Sequence, residues 1–331
     1  MAKSYYKVDN STTVEMDQLF VTTMDRRAKQ LVDQIFKKNI ALAFLLSMKD
    51  TTMIQGGKQF IVPLEVEENP HGGWINDEEG IPMDDYDPVD AAIYGPKSLS
   101  YNVRFSREQR FVNRGDVRVH SLMSIKERNT IKSMQKRLEE AIWTGDGTNQ
   151  KVMDGLPKII PATVPASQSV TVGGISPSSK SWWRTQARNM SGMAAAAELE
   201  AELLTLYNDI ALEGGTVNMN FTSQDIAETY EKNQMDYLSV GMTKVGDFNF
   251  ETIKYKGGPI SFSDLAPAGE WRMVDKEALI FAVDPAYWMR WTKDKEQVDN
   301  PFTSHRQILS RCNLCRREAR TLGCIYNITA G

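Results

Sequence analysis

From Gln59 to Pro96 the chain carries ten carboxylates and not one lysine or arginine, and the segment reads as two strands joined by an ornate tip. The outgoing run, Lys58-Gln-Phe-Ile-Val-Pro-Leu-Glu-Val-Glu, follows Gly56-Gly57 and is β-type, yet Pro63 sits inside it. Proline has no N–H to give to a ladder, so this strand belongs at a sheet edge or on an isolated arm. A turn-rich tip follows from Glu67 to Asp90, and a returning strand is expected where Leu99, Tyr101, Val103 and Phe105 alternate with polar residues. A two-stranded hairpin alone in water is marginal. An arm of about 20 residues reaches roughly 65 Å at ~3.3 Å per residue, more than a compact domain of this size can cover. Such an arm needs a partner surface.

Charge indicates the kind of partner. The acidic block is Glu65, Glu67, Glu68, Asp77, Glu78, Glu79, Asp84, Asp85, Asp87 and Asp90. Immediately after it come Lys97, Arg104, Arg107, Arg110, Arg114, Arg118, Lys126, Arg128, Lys132, Lys136 and Arg137. Adjacent blocks of opposite sign suggest complementarity, within one chain or between copies. Three other readings compete. The acidic run could be a solvated loop. It could bind calcium, but its spacing fails the D-x-[DN]-x-[DN]-G loop. It could hold catalytic carboxylates, but no nucleophile or oxyanion donor stands nearby.

Elsewhere, apolar residues recur every three or four positions in several stretches. They predict an N-terminal helix from Thr13 to Phe36, a long helix over 116–143 with a Ser124/Glu127 capping box, and helices over 194–212 and 222–233, the last opened by Thr222-x-x-Asp225. Between them lie short β-like runs, a strand near Ala278 to Val283, a Trp-rich piece (Tyr287-Trp-Met-Arg-Trp291) and long closing strands from Gln307 to Thr329. Helices and strands mix without βαβ regularity, so the class is α+β.

The net charge of −4 lacks the basic excess of a protein that wraps or scans DNA. A basic helix entering a groove is further disfavoured because Glu127, Glu139 and Glu140 interleave with the lysines and arginines. The longest strongly apolar stretch, Ile40 to Met48, is far short of the roughly 20 residues that span a bilayer, and no signal sequence opens the chain. Cys312-x-x-Cys315 could begin a zinc site, but only Cys324 and three scattered histidines could complete four ligands. No phosphate-binding loop, dinucleotide fingerprint, nucleophile elbow or H-E-x-x-H is present. The expectation is a protein with no catalytic site, cofactor or metal.

Four pieces, in order, resemble the major capsid proteins of tailed double-stranded DNA bacteriophages with the Hong Kong 97-type fold. They are Gly56-Gly57 leading into Phe60-Ile-Val-Pro63-Leu, then Ala91-Ala-Ile-Tyr94-Gly-Pro-Lys97 ahead of Val103-Arg-Phe-Ser-Arg-Glu108. Asn113-Arg-Gly-Asp116 and Trp143-Thr-Gly-Asp-Gly147 bracket the long helix, and Arg316-Arg-Glu-Ala-Arg320 precedes Leu322 to Thr329. The resemblance implies an N-terminal arm and helix (1–50), an extended loop formed by the hairpin (51–107), a peripheral domain with a spine helix (108–150), an axial domain (151–304) and closing strands of the peripheral domain (305–331).

It also implies a structural subunit that forms the pentamers and hexamers of an icosahedral head. On this reading Trp74, Ile75, Ile81, Met83 and Tyr86 are buried between chains. Asp77, Glu78 and Glu79 pair with a neighbour's Arg104, Arg107, Arg110, Arg114, Arg118, Lys126, Arg128 and Lys132. Expected partners are further copies of the chain, a scaffolding protein during assembly, a portal protein, a decoration protein, and packaged DNA held without sequence-specific contacts, with no membrane. The subunit would assemble in the host cytoplasm and end in the virion.

Two departures from the family pattern carry expectations. The hairpin begins by residue 51, which leaves no room for a cleaved scaffolding segment after Met1. Residues 59–96 contain no lysine for an isopeptide cross-link, so interlocking is expected to be non-covalent. The rivals are a cellular nanocompartment shell of related fold and a carboxylate-based hydrolase using the acidic tip.

Overall fold

A computed structural model of the chain describes residues 39–48, 59–71, 74, 85–107, 109, 122–191, 193, 195–234, 243–245, 248–252, 254–297 and 300–329. The helix expected from Thr13 lies outside them. In chain order the helices are α1 (Ile40–Ser47), α2 (Leu122–Thr144), α3 (Leu156–Ile159), α4 (Ala195–Leu212) and α5 (Gln224–Gln234). The first strands are β1 (Phe60–Glu65), β2 (Val89–Tyr94), β3 (Lys97–Ser106), β4 (Gln186–Asn189), β5 (Met219–Thr222), β6 (Thr243–Val245), β7 (Phe248–Thr252) and β8 (Lys254–Tyr255). The rest are β9 (Gly258–Phe262), β10 (Trp271–Val274), β11 (Leu279–Val283), β12 (Arg290–Trp291), β13 (Lys295–Gln297), β14 (Asn300–Arg316) and β15 (Gly323–Tyr326). The class is α+β, as the sequence implies.

The chain divides into two compact units. The smaller comprises, of the described chain, Asn39 and residues 98–137 and 286–310. Here β12 and β13 pair antiparallel with β14, with Trp291 opposite Ile308 and Lys295 opposite His305, and β3 also pairs with β14. The alternation of Leu99, Tyr101, Val103 and Phe105 is therefore real, but it serves this sheet. It buries Val103 and Phe105 on one face and leaves Asn102 and Arg104 exposed. Ser124 lies inside α2 and does not cap it, and Glu127 holds Arg306 at 2.6 Å.

The larger unit comprises residues 40–97, 138–285 and 311–331. Its six-stranded mixed sheet runs β4-β15-β10-β5-β9-β8. One stripe of α4 (Leu199, Leu203, Leu206, Ile210) and one of α5 (Ile226, Ala227, Tyr230) pack with Trp271, Met273 and Ile325 of that sheet into a single apolar cluster. The spacing of these residues is that of a helix with one buried face. Thr222 is not the cap of α5: it ends β5, and its hydroxyl donates to the Glu270 carbonyl at 3.1 Å. The closing strands do not stay together, since β14 pairs with β11 in this unit through residues 312–316, whereas β15 joins the six-stranded sheet.

The run Ile40–Ser47, too short to cross a membrane, is helix α1, with Ala41, Leu42, Phe44 and Leu45 buried. Phe44 and Trp143 both meet the Phe221 ring edge-on, at 5.6 and 5.3 Å between centroids. The cysteines are apolar packing: Cys312 lies against Met153, and Cys315 belongs to a cluster with Trp183, Ile280 and Ala282.

Candidate interaction site

The hairpin is narrower than its sequence suggests. The partner of β1 is β2, antiparallel from Phe60 opposite Tyr94 to Glu65 opposite Val89, with one more rung where Val66 N–H donates to the Pro88 carbonyl at 2.9 Å. Pro63 sits in a two-stranded sheet, where a missing donor is tolerated. Leu99–Phe105 is not the returning strand, because its alternation matches the β14 sheet. Asp85, Asp87 and Asp90 shape the return by accepting from the backbone N–H of Tyr86, Val89 and Ala91.

Because side chains alternate across a strand, the hairpin has two different faces. On one, Phe60, Val62, Leu64, Ala92 and Tyr94 pack on Val172, Ile175, Trp183, Ile280, Ala282, Cys315 and Ala319. On the other, Ile61 stands opposite Ile93 and Pro63 opposite Ala91. Ile61, Val89 and Ile93 there are 57%, 61% and 43% exposed, and Trp74 in the tip is fully exposed. Tyr86, also at the surface, meets His71 edge-on at 6.4 Å. The expected contact residues Ile75, Asp77, Glu78, Glu79, Ile81 and Met83 lie outside the described residues.

The inner face is tied down by an arginine. Arg316, fully buried at the end of β14, donates from Nη1 to the Ile159 carbonyl at 2.8 Å and from Nη2 to the Trp183 carbonyl at 2.9 Å. Its guanidinium lies 4.3 Å from the centre of the Trp183 ring. The Tyr94 hydroxyl donates to the Arg316 carbonyl at 2.9 Å and accepts from the Arg316 N–H at 3.1 Å, while Ile93 N–H donates to Gly173 at 2.8 Å. Gly173 has φ +62°, and a Cβ there would meet Ala92 and Tyr94 at 2.8 Å, so the glycine lets the hairpin seat closely. Burial pulls the Arg316 pKa down to about 10 and pushes the Tyr94 hydroxyl upward. Two of the motifs that carried the family resemblance, Ala91–Lys97 and Arg316–Arg320, thus meet here.

A third motif joins α1. Glu139, buried four residues before Trp143, accepts from Ala41 N–H at 3.0 Å, Leu42 N–H at 2.6 Å and Trp143 Nε1 at 2.9 Å. It supplies the acceptor that the first turn of α1 lacks within itself. Desolvation raises its pKa, against the lowering effect of those three donors. A raised folded pKa favours folding below the unfolded value, and that contribution is lost as pH rises through the folded pKa. Glu139→Gln, which turns an amide N–H toward one of these donors, is therefore expected to cost about 1–3 kcal/mol. Its deficit against the unaltered chain should be largest below the ordinary carboxylate pKa and shrink toward neutrality. Denaturant titrations of both proteins at a series of pH values check this, and a deficit that grows with pH would contradict it.

In the smaller unit, several of the expected basic contact residues have partners of their own. Arg107 pairs with Glu296 at 2.8 Å and lies over Phe302, and Arg104 reaches the Thr303 hydroxyl at 3.4 Å. Lys126 donates to Gln109 at 3.2 Å and sits 5.9 Å from the Phe105 ring centre. Arg128 is exposed and Lys132 half-buried on α2. Arg110, Arg114 and Arg118 lie outside the described residues. Sequence reasoning missed Arg316 and Glu139, whose partners are distant in the chain. It noted the segment 287–291 only as Trp-rich.

No protein-family model and no curated protein sequence matches the chain. Solved structures do. A subunit of the cyanophage A-1(L) capsid asymmetric unit superposes with a TM-score of 0.71 at 14% identity, covering 92% of this chain and 97% of that one. The holo-SrpI encapsulin complex from Synechococcus elongatus PCC 7942 gives 0.61 at 12% identity, covering 98% and 96%. Mycobacterium phage Adephagia gives 0.55 at 13% identity, covering 98% and 100%. At such identities the likeness is one of fold.

Proposed function

We propose that this chain, whose fold is the Hong Kong 97-type capsid fold, is the major capsid subunit of a tailed double-stranded DNA phage. The observation that carries the reading is the two-faced hairpin. One face is locked into the chain's own core around Arg316 and Trp183. The other presents Ile61, Val89 and Ile93 beside an acidic tip with an exposed Trp74. A sheet face of this kind is an interaction surface, and in a shell the partner is another copy.

On this reading the segment 51–107 contains the extended loop, and the units assemble into pentamers and hexamers that close into an icosahedral head around DNA. Closure is multivalent, so contacts of modest strength sum to a stable shell. A scaffolding protein assists, portal and decoration proteins join the head, and the DNA is enclosed without sequence-specific contacts. No residue is assigned a catalytic role. Interlocking is non-covalent, because residues 59–96 contain no lysine.

The acidic tip contributes through charge. The triple substitution Asp77→Lys, Glu78→Lys, Glu79→Lys is expected to block shell formation while the subunit stays folded. Circular dichroism and sedimentation of the same sample read both properties. Normal particles from this variant would overturn the electrostatic pairing.

A cellular nanocompartment shell is the second reading, supported by the likeness to the encapsulin complex. Closed shells formed without any scaffolding protein, together with capture of a cargo-loading peptide, would favour it.

A further inference from the structure

In sequence, α2 mixes acids with its bases, but the fold draws most of the acids away. Of the three carboxylates in Leu122–Thr144, Glu127 holds Arg306 at 2.6 Å. Glu139 is buried, where it accepts from Ala41 and Leu42 N–H. Glu140 remains, half-buried near the C-terminal end of the helix. Two of the three acids that count against a basic helix in the sequence are therefore engaged elsewhere. What α2 presents is Arg128, Lys132 and Lys136, a row at i, i+4 and i+8 along one side of the helix. Arg128 and Lys136 are exposed and Lys132 is half-buried. Asn129 and Ser133, 3.4 Å apart, lie beside the row. At ~1.5 Å per residue, successive cations stand ~6 Å apart along the axis.

We propose that this row contacts the phosphate backbone of double-stranded DNA, without regard to base sequence, on the inner surface of the shell. The proposal rests on the shell reading and deepens it by naming the surface that meets the enclosed DNA. Three features select DNA over an acidic protein. Protein interfaces draw most of their energy from large side chains seated in well-packed pockets, and this row has no apolar anchor. Arginine, lysine, asparagine and serine are side chains that contact phosphate and sugar. The ~6 Å spacing is close to the roughly 7 Å that two nucleotides span along one strand, so the row can reach alternate phosphates. The chain's net charge of −4 keeps the contact weak. Arg128 and Lys132 then serve the DNA and not a neighbour's acidic tip.

Dissociated subunits and a fluorescent duplex of random sequence test the contact, with anisotropy measured across a salt series. Three cations neutralise about three phosphates, so log affinity is expected to fall with log salt at a slope of about −2.7. The triple substitution Arg128→Gln, Lys132→Gln, Lys136→Gln is expected to weaken binding at least tenfold and to flatten that slope, while closed particles form in normal yield. Unchanged affinity would overturn the proposal. Folded variant subunits that no longer form shells would assign the row to contacts between copies and also overturn it. Polyglutamate bound as tightly as the duplex at equal charge concentration would overturn it in favour of an acidic protein. Unaltered subunits that bind the duplex but never assemble would leave the phosphate contact standing and remove the shell reading. Lys136→Cys gives a second readout, because the three native cysteines are buried and buried thiols react poorly. A maleimide coupled to a protein-sized carrier is expected to modify dissociated subunits and to spare closed particles. Modification of closed particles would put the row outside the shell and overturn the proposal.

Discussion

Arg316→Ala is expected to lower the stability of the unassembled subunit by about 3–5 kcal/mol, measured by denaturant unfolding. The substitution leaves the Ile159 and Trp183 carbonyls without their donors, and each buried polar group stripped of its partner costs roughly 1–3 kcal/mol. It also removes the group stacked on Trp183 and opens a cavity beneath the hairpin. One effect opposes these. Burial already disfavours the charge, as the lowered pKa of about 10 shows, so deleting it recovers some desolvation energy. Arg316→Met separates the two. It fills most of the space and removes the charge, and is expected to cost less than alanine, because a buried charge replaced by a well-packed apolar group is often tolerated. A loss below about 1 kcal/mol for alanine would mean that the arginine does not anchor the hairpin.

Ile61→Asp combined with Ile93→Asp is expected to do the opposite: leave the subunit folded and abolish closed particles. The two side chains face each other on the outer face and are 57% and 43% exposed, so the isolated subunit loses only part of their burial and keeps its fold. Within a shell the same face would be covered. Burying an aliphatic side chain of this size is worth about 1.5–3 kcal/mol, and an uncompensated carboxylate put in its place costs more than that gain. Repeated at every subunit, this penalty exceeds what closure can absorb. A cooperative unfolding transition lowered by about 1–3 kcal/mol, together with no fast-sedimenting material, is the predicted pair of results. Normal particle yield would show that this face is not an intersubunit surface.

The parts of this architecture that sequence conveys are those with local causes. The stripe Leu199, Leu203, Leu206, Ile210 announces α4 because a helix repeats its buried face every three to four residues. Pro63 marks an edge strand because its nitrogen carries no hydrogen. What sequence does not convey is partner choice. Val89–Tyr94 alternates poorly, with Asp90 and two alanines in it, whereas Lys97–Ser106 alternates well. The weaker pattern is nevertheless the partner of β1, since register is decided by what lies beneath each face. The same limit hid the anchors. Glu139 reads as a surface residue of an amphipathic helix until α1, almost a hundred residues away in sequence, brings its N–H groups to it. Arg316 and Arg317 are indistinguishable as letters, yet one is fully buried and the other exposed. The continuous apolar run Ile40–Ser47 carries no period with which to tell helix from strand.

Sedimentation of the purified chain, alone and coexpressed with the genes that flank its own, followed by negative-stain electron microscopy of the same fractions, shows whether this chain builds a shell. Closed particles tens of nanometres across, or tubes and sheets of hexamers, are the expected result. A compact monomer or small oligomer under every condition would contradict it.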